Sequence, residues 1–99
     1  MTFPQHRLRR LRSTPSLRRL VAETSLNVDD LVAPLFVREG IAEPQEIKSL
    51  PGVVQHTRSS LVKEVQELRD LGIPAVVLFG IPEKKDAMGS ESWNPKGIV

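Results

Sequence analysis

Apolar positions along this 99-residue chain repeat with two different periods. From Thr57 to Leu71, the residues Leu61, Val62, Val65, Leu68 and Leu71 recur at helical spacing, and Lys63, Glu64, Glu67 and Asp70 fill the opposite side. Ser59 or Ser60 is the expected cap at the start, and Gly72 followed by Pro74 is the expected stop. Leu31–Val37 (LVAPLFV) and Ala75–Ile81 (AVVLFGI) are near-continuous apolar runs, the habit of parallel strands covered on both faces. Pro34 has no N–H, so the first strand is expected to lie where one ladder bond is missing. A shorter helix is expected at about 15–24, opening on Thr14-Pro15, with Leu17, Leu20, Val21 and Thr24 on one face. Residues 38–56 form a long connection, either functional or locally folded, with Leu50-Pro51-Gly52-Val53 as a turn. Asn94-Pro95 reads as the cap and first position of a further helix.

Strand, helix and strand with short exits predict a right-handed βαβ unit in an α/β fold. A sheet of two strands leaves both edges open and one face bare. The expected organisation is a basic arm with a short helix over 1–24, and the first βαβ portion of a larger sheet over 25–99. The pattern predicts an amino-terminal piece of a larger protein, or a module completed by a partner. It also predicts that the isolated chain is poorly folded.

Charge adds an asymmetry. The net charge of +2 divides into an arm holding Arg7, Arg9, Arg10, Arg12, Arg18 and Arg19 with no acid before residue 20, and a remainder at −4. Such an arm suits an acidic partner. Nucleic acid is disfavoured because Tyr is absent and Trp93 is the only Trp, leaving little for base stacking. A protein surface, or a second copy of the chain, fits better. Arg7, Arg9, Arg10 and Arg12, with Leu17, Leu20 and Val21, are therefore the subunit-interface candidates. There is no stretch of 18 apolar residues and no apolar segment behind the arginines, so neither a membrane span nor a secretory signal is expected. The absence of cysteine excludes disulfides and a thiol nucleophile within this span and is compatible with the cytoplasm.

Chemistry-bearing residues are sparse. Phe79 and Gly80 end a parallel strand, the position where barrels build their sites, and are the candidate walls of a substrate pocket. Phe36 holds the matching place on the first strand, where a core role is the simpler reading. His6 and His56 have no convergent ligands nearby in sequence, and Asp29-Asp30 suit a turn better than a metal site. Lys63, Lys84 and Lys85 lie among charged residues and read as surface groups, unlike the desolvated lysine that Schiff-base chemistry needs. No phosphate-binding glycine motif occurs. Neither a catalytic residue nor a metal ligand is assigned to this span.

Leu31–Gly40 (LVAPLFVREG), Ser49–Val53 (SLPGV), Ala75–Pro82 (AVVLFGIP), Lys85–Ser90 (KDAMGS) and Asn94–Gly97 stand in an order and spacing that resemble the amino-terminal third of the 5-aminolevulinate dehydratase (porphobilinogen synthase) family, and the basic arm resembles that of its bacterial members. The resemblance runs from about Arg7 to Val99. It implies a (β/α)8 TIM barrel, of which this chain would be the arm and an incomplete first portion, and a lyase that condenses two 5-aminolevulinate molecules to porphobilinogen in tetrapyrrole (heme) synthesis. It further implies Schiff-base lysines and a metal-binding segment beyond Val99, zinc or magnesium as cofactor of the whole enzyme, and a homo-oligomer, most often an octamer, wrapped by the arm. On that reading this span alone is inactive. The alternative is a free-standing interaction module docking an acidic protein through its arm.

Overall fold

The computed structural model describes Thr2 and residues 4–99; Met1 and Phe3, in the predicted arm, lie outside the described residues. The arm carries a 3-10 turn at Arg10–Arg12 and helix α1 at Pro15–Leu20. Thr14 caps α1 as expected, its hydroxyl accepting from the Leu17 N–H at 3.2 Å, with Pro15 at the first helical position. The helix stops at Leu20 instead of reaching 24. Leu20 is 79% exposed, so no tertiary burial extends a helix too short to persist alone. A second 3-10 turn, Val28–Asp30, follows, closed by the Asp30 carboxylate accepting from the Asn27 N–H at 2.9 Å.

The body is one sheet of four strands in the order β2-β3-β1-β4. They are β1 (Val32–Arg38), β2 (Gln45–Glu46), β3 (Val54–His56) and β4 (Ala75–Ile81), with helix α2 (Arg58–Asp70) between β3 and β4. β1 is parallel to both β3 and β4, while β2 runs antiparallel to β3. The sequence reading of two strands thus missed β2 and β3. Two and three residues of mostly polar type carry no alternation or apolar run to announce them. The connection 38–56 is locally folded, its hairpin closed by Leu50–Val53. The Val53 N–H donates to the Leu50 carbonyl at 3.0 Å, with Pro51 inside the turn and Gly52 at φ 82°, where glycine is the favoured residue.

Pro34 sits inside the central strand without breaking a ladder. N–H groups of an extended strand point alternately to its two edges. The Glu39 N–H bonds Ile81 O on the β4 side, so the missing N–H of Pro34 falls on the β3 side. There the pairing of β1 with β3 begins only at Phe36, opposite Gln55.

Helix α2 starts on Thr57, not on Ser59 or Ser60. The Thr57 hydroxyl accepts from the Ser60 N–H at 3.1 Å while the Ser60 hydroxyl accepts from the Thr57 N–H at 3.0 Å, a reciprocal cap. Its end is as expected: Gly72 at φ 88° lets its own N–H reach Arg69 O and the Ile73 N–H reach Leu68 O. Leu61, Val65 and Leu68 are half-buried, but Val62 and Leu71 of the predicted stripe remain exposed.

The two sheet faces differ. In-register neighbours share a face, so Leu35 and Val37 lie with Leu78, Gly80 and His56 on the α2 side. Leu35 and Val37 are the buried apolar side chains among the described residues. The opposite face carries Val32, Phe36, Val77 and Phe79 and is largely open, with Phe79 47% exposed. The expected helix at Asn94-Pro95 does not form. Asn94 instead follows a 3-10 turn, Ser90–Trp93, and its side-chain oxygen accepts from the Lys96 N–H at 3.0 Å while its carbonyl accepts from the Gly97 N–H at 2.9 Å.

Candidate functional site at the carboxyl ends of the parallel strands

β1, β3 and β4 run in one direction, so their carboxyl ends open on the same side of the sheet. At that end Phe36 and Phe79, in register, stack with ring centroids 5.3 Å apart and planes at 24°. The pair makes a continuous apolar wall on the open face. Beside it the Arg38 guanidinium donates to Gln55 Oε1 at 2.9 Å, tying β1 to β3. Beyond the strands, the Glu83 N–H donates to Glu39 Oε2 at 3.1 Å, and the Glu83 carboxyl lies 3.2 Å from where a Cβ on Gly40 would sit. Gly40 has φ 77°, so both its backbone and its surroundings favour glycine.

On the α2 face, a half-open cleft of about 520 Å³ lies between the end of β4 and residues 82–99, floored by Leu78, Gly80, Pro82 and Ile98. A Cβ at Gly80 would meet Val99 Cγ2 at 2.5 Å and Ile98 Cγ2 at 2.8 Å. Gly80 is therefore inside the strand and bare because another segment lies against it, a reason that ending a strand does not supply. Phe79 and Gly80, paired in the sequence reading as one pocket wall, project to opposite faces, and each borders a different space.

The rim of the cleft is shaped by Asp86. Its Oδ1 accepts from the Met88 N–H at 3.1 Å and from the Ser90 N–H at 2.9 Å, while Oδ2 accepts from the Ser90 hydroxyl. Gly89, at φ 63° and ψ 39°, turns the chain so that both amides face one carboxylate. The Ser90 hydroxyl first, then the Ser90 amide and the other amides of the turn, hold the Asp86 carboxyl below its usual range. This grip is complete above the ordinary carboxyl pKa of about 3.9 and is released only as pH falls through the lower folded value.

The other sequence candidates distribute plainly. Arg7, Arg9, Arg10 and Arg12 are exposed, as are Leu20 and Val21, while Leu17 is half-buried. Arg18 folds back to donate to Arg12 O at 2.8 Å. His6 is exposed; His56 is buried at 7% exposure, with Nδ1 3.1 Å from Ser60 Oγ in the α2 cap, so it is a structural hydrogen-bonding residue and not a surface one. Lys48, Lys63, Lys84, Lys85 and Lys96 are all exposed, although Lys84 and Lys85 border the cleft. Among the described residues no three His, Cys, Asp or Glu side chains converge. No helix among them is long and apolar enough to cross a membrane. Sequence reasoning missed the Glu39–Glu83 tie, which joins residues 44 apart. It also missed the Asp86 grip, for which the signal was available: Asp, then Gly-Ser three and four residues on, is a turn-forming set.

In α/β folds with parallel strands, binding sites are commonly built by the loops that gather at the carboxyl ends of those strands. Residues 5–99 match the sequence model of the family described as Delta-aminolevulinic acid dehydratase, and the chain belongs to that family. The Delta-aminolevulinic acid dehydratase of Streptomyces coelicolor is 51% identical over 99% of this chain and 30% of its own length. That of Mycobacterium leprae is 52% identical over 98% of this chain and likewise 30% of its own length. The crystal structure of the Toxoplasma gondii delta-aminolevulinic acid dehydratase (porphobilinogen synthase), in complex with the reaction product porphobilinogen, superposes with a TM-score of 0.84 at 38% identity. That match covers 95% of this chain and 27% of the other. The chain thus spans about 30% of the length of the curated relatives it matches.

Proposed function

We propose that this chain forms the arm and the first strands of a (β/α)8 barrel in a porphobilinogen synthase, a hydro-lyase that joins two 5-aminolevulinate molecules into porphobilinogen. The observation that carries the reading is the parallel β3-β1-β4 arrangement, with its loops at one end, superposing on an enzyme that holds porphobilinogen. A sheet with one bare face and an open β4 edge is what a barrel wall looks like before its neighbours are added. The open face then points inward, and the Phe36–Phe79 stack contributes an apolar wall to the interior near the substrate. Gly80 serves the outer side, where it admits Ile98 and Val99.

The chain's own residues bind and shape in this scheme, and the covalent chemistry falls to others. Amine attack on a ketone carbonyl needs a lysine kept neutral by desolvation, and every lysine here is exposed. Zinc or magnesium, carried over from the family, would likewise be held by residues outside this set. Arg7, Arg9, Arg10 and Arg12, with Leu17, Leu20 and Val21, form the contact of the arm with a neighbouring subunit of an octamer. The cytoplasm is the compartment this reading assigns. The test is an assay of the complete polypeptide that carries this segment, with 5-aminolevulinate as sole substrate. Formation of porphobilinogen is expected, and a folded, metal-loaded protein that leaves the substrate untouched contradicts the reading.

A further inference from the structure

We propose that Arg38, steadied by Gln55, binds the carboxylate of 5-aminolevulinate on the open face of the sheet; this rests on the aminolevulinate-condensing reading above. Register fixes the face. Arg38 lies two residues beyond Phe36 on β1 and opposite Ile81 on β4, and Gln55 lies opposite Phe36. Side chains two apart on a strand share a face. Arg38 and Gln55 therefore belong to the face that carries the Phe36–Phe79 stack, away from α2. The bond from Arg38 Nη1 to Gln55 Oε1 at 2.9 Å, made across the two strands, agrees with that placement. Arg38 is also the last residue of β1, so it stands at the carboxyl end of the strand, just beyond the stacked rings.

A guanidinium carries more N–H donors than one neutral amide oxygen can use. With Nη1 on Gln55, the edge formed by Nε and Nη2 presents two parallel donors, the fork that a carboxylate bridges with both oxygens. Among the described residues no carboxylate pairs with Arg38; the ion pair there is Arg69–Asp70 on α2. The acids nearest in the sheet are placed elsewhere. Glu39 accepts from the Glu83 N–H, and Glu46, in register with Val54, lies on the α2 face. The open face at this end thus offers a positive charge beyond an apolar wall of Phe36, Phe79 and Ile81. That pairing suits a short-chain carboxylic acid, with its carbon chain along the rings and its carboxylate on the fork. Gln55 acts as a positioning residue, holding the guanidinium plane without itself meeting the ligand.

The experiment uses the complete polypeptide with Arg38→Gln, which removes charge and fork, Arg38→Lys, which keeps the charge alone, and Gln55→Leu, which frees the guanidinium. Arg69→Gln removes the same charge from the exposed side of α2 and serves as control. The KM for 5-aminolevulinate is expected to rise about tenfold in Arg38→Gln and about threefold in Arg38→Lys and Gln55→Leu, with kcat held within about threefold and the control unchanged. Titration calorimetry supplies a readout that a structural role would not move. Levulinate keeps the ketone and the carboxylate, and its methyl ester lacks the charge. Arg38→Gln should bind levulinate about tenfold more weakly than the parent does and the ester equally well. A KM and a levulinate affinity in Arg38→Gln within about twofold of the parent overturn the proposal, as does equal weakening of levulinate and ester. Should Arg38→Gln fail to fold, Arg38→Lys and Gln55→Leu are read by the same criteria. A parent that forms no porphobilinogen defeats the condensation reading, and the calorimetry then decides the carboxylate role alone: a loss confined to levulinate upholds it, and any other result overturns it.

Discussion

Heated alone, the 99-residue chain is expected to lose structure gradually, with no sharp calorimetric peak. Leu35 and Val37 are its buried apolar side chains among the described residues. Full burial of such a side chain is worth roughly 1.5–3 kcal/mol. Ordering one residue of backbone costs about 1–2 kcal/mol, so two buried side chains offset the ordering of only a few residues. The overall form agrees. The radius of gyration is 21.7 Å and the longest dimension 62 Å, against about 13 Å for the radius of gyration of a compact domain of this length. Val32, Val77, Leu78 and Phe79, each at least 40% exposed, line a sheet waiting for cover. Differential scanning calorimetry on a monomeric sample checks this, and a narrow, two-state transition would show that the sheet closes without neighbours.

Removal of residues 1–24 from the complete polypeptide is expected to change its assembly outright, from the octamer proposed above to smaller species, as read by sedimentation velocity. Helix α1 packs against the Arg10–Arg12 turn of its own arm, and Leu8, Leu11 and Leu20 stand 80%, 56% and 79% exposed. Leucines alternating with arginines in this way present an apolar stripe and cationic charge on one extended segment, which suits the mildly acidic body of another copy. In the proposed octamer the contact would recur in every subunit, so its loss should act on the assembly as a whole. An octamer of unchanged sedimentation coefficient, allowing for the lost mass, refutes this role for the arm.

The strong periodic segments were legible in the sequence, and the short polar ones were not. β4 is observed over Ala75–Ile81 as read, and α2 lies within one residue of its expected span at each end, because a long apolar run and a helical stripe report burial directly. β2 and β3 are invisible because their strand state comes from pairing with neighbours, which Gln45, Glu46 and Gln55 do not encode locally. The α2 cap was misplaced because Thr57, Ser59 and Ser60 are all competent caps, and only the reciprocal bonds between Thr57 and Ser60 choose among them. The Asn94-Pro95 pair carries a helix-start signal, but the Asn94 side chain is spent on a turn to Lys96. At the site, Phe79 and Gly80 were legible as strand-end residues. That they face opposite ways, and that Gly80 is bare to receive Ile98 and Val99, depends on contacts across 18 residues or more that no local pattern records.

The most direct test of the barrel assignment is a chimera in which residues 1–99 replace the matching amino-terminal 30% of the Streptomyces coelicolor dehydratase. If this chain supplies the arm and first strands of the same barrel, the chimera should assemble and convert 5-aminolevulinate to porphobilinogen with kcat/KM within about tenfold of the parent, a difference of some 1.4 kcal/mol. A chimera that folds and assembles like the parent yet forms no porphobilinogen contradicts the account.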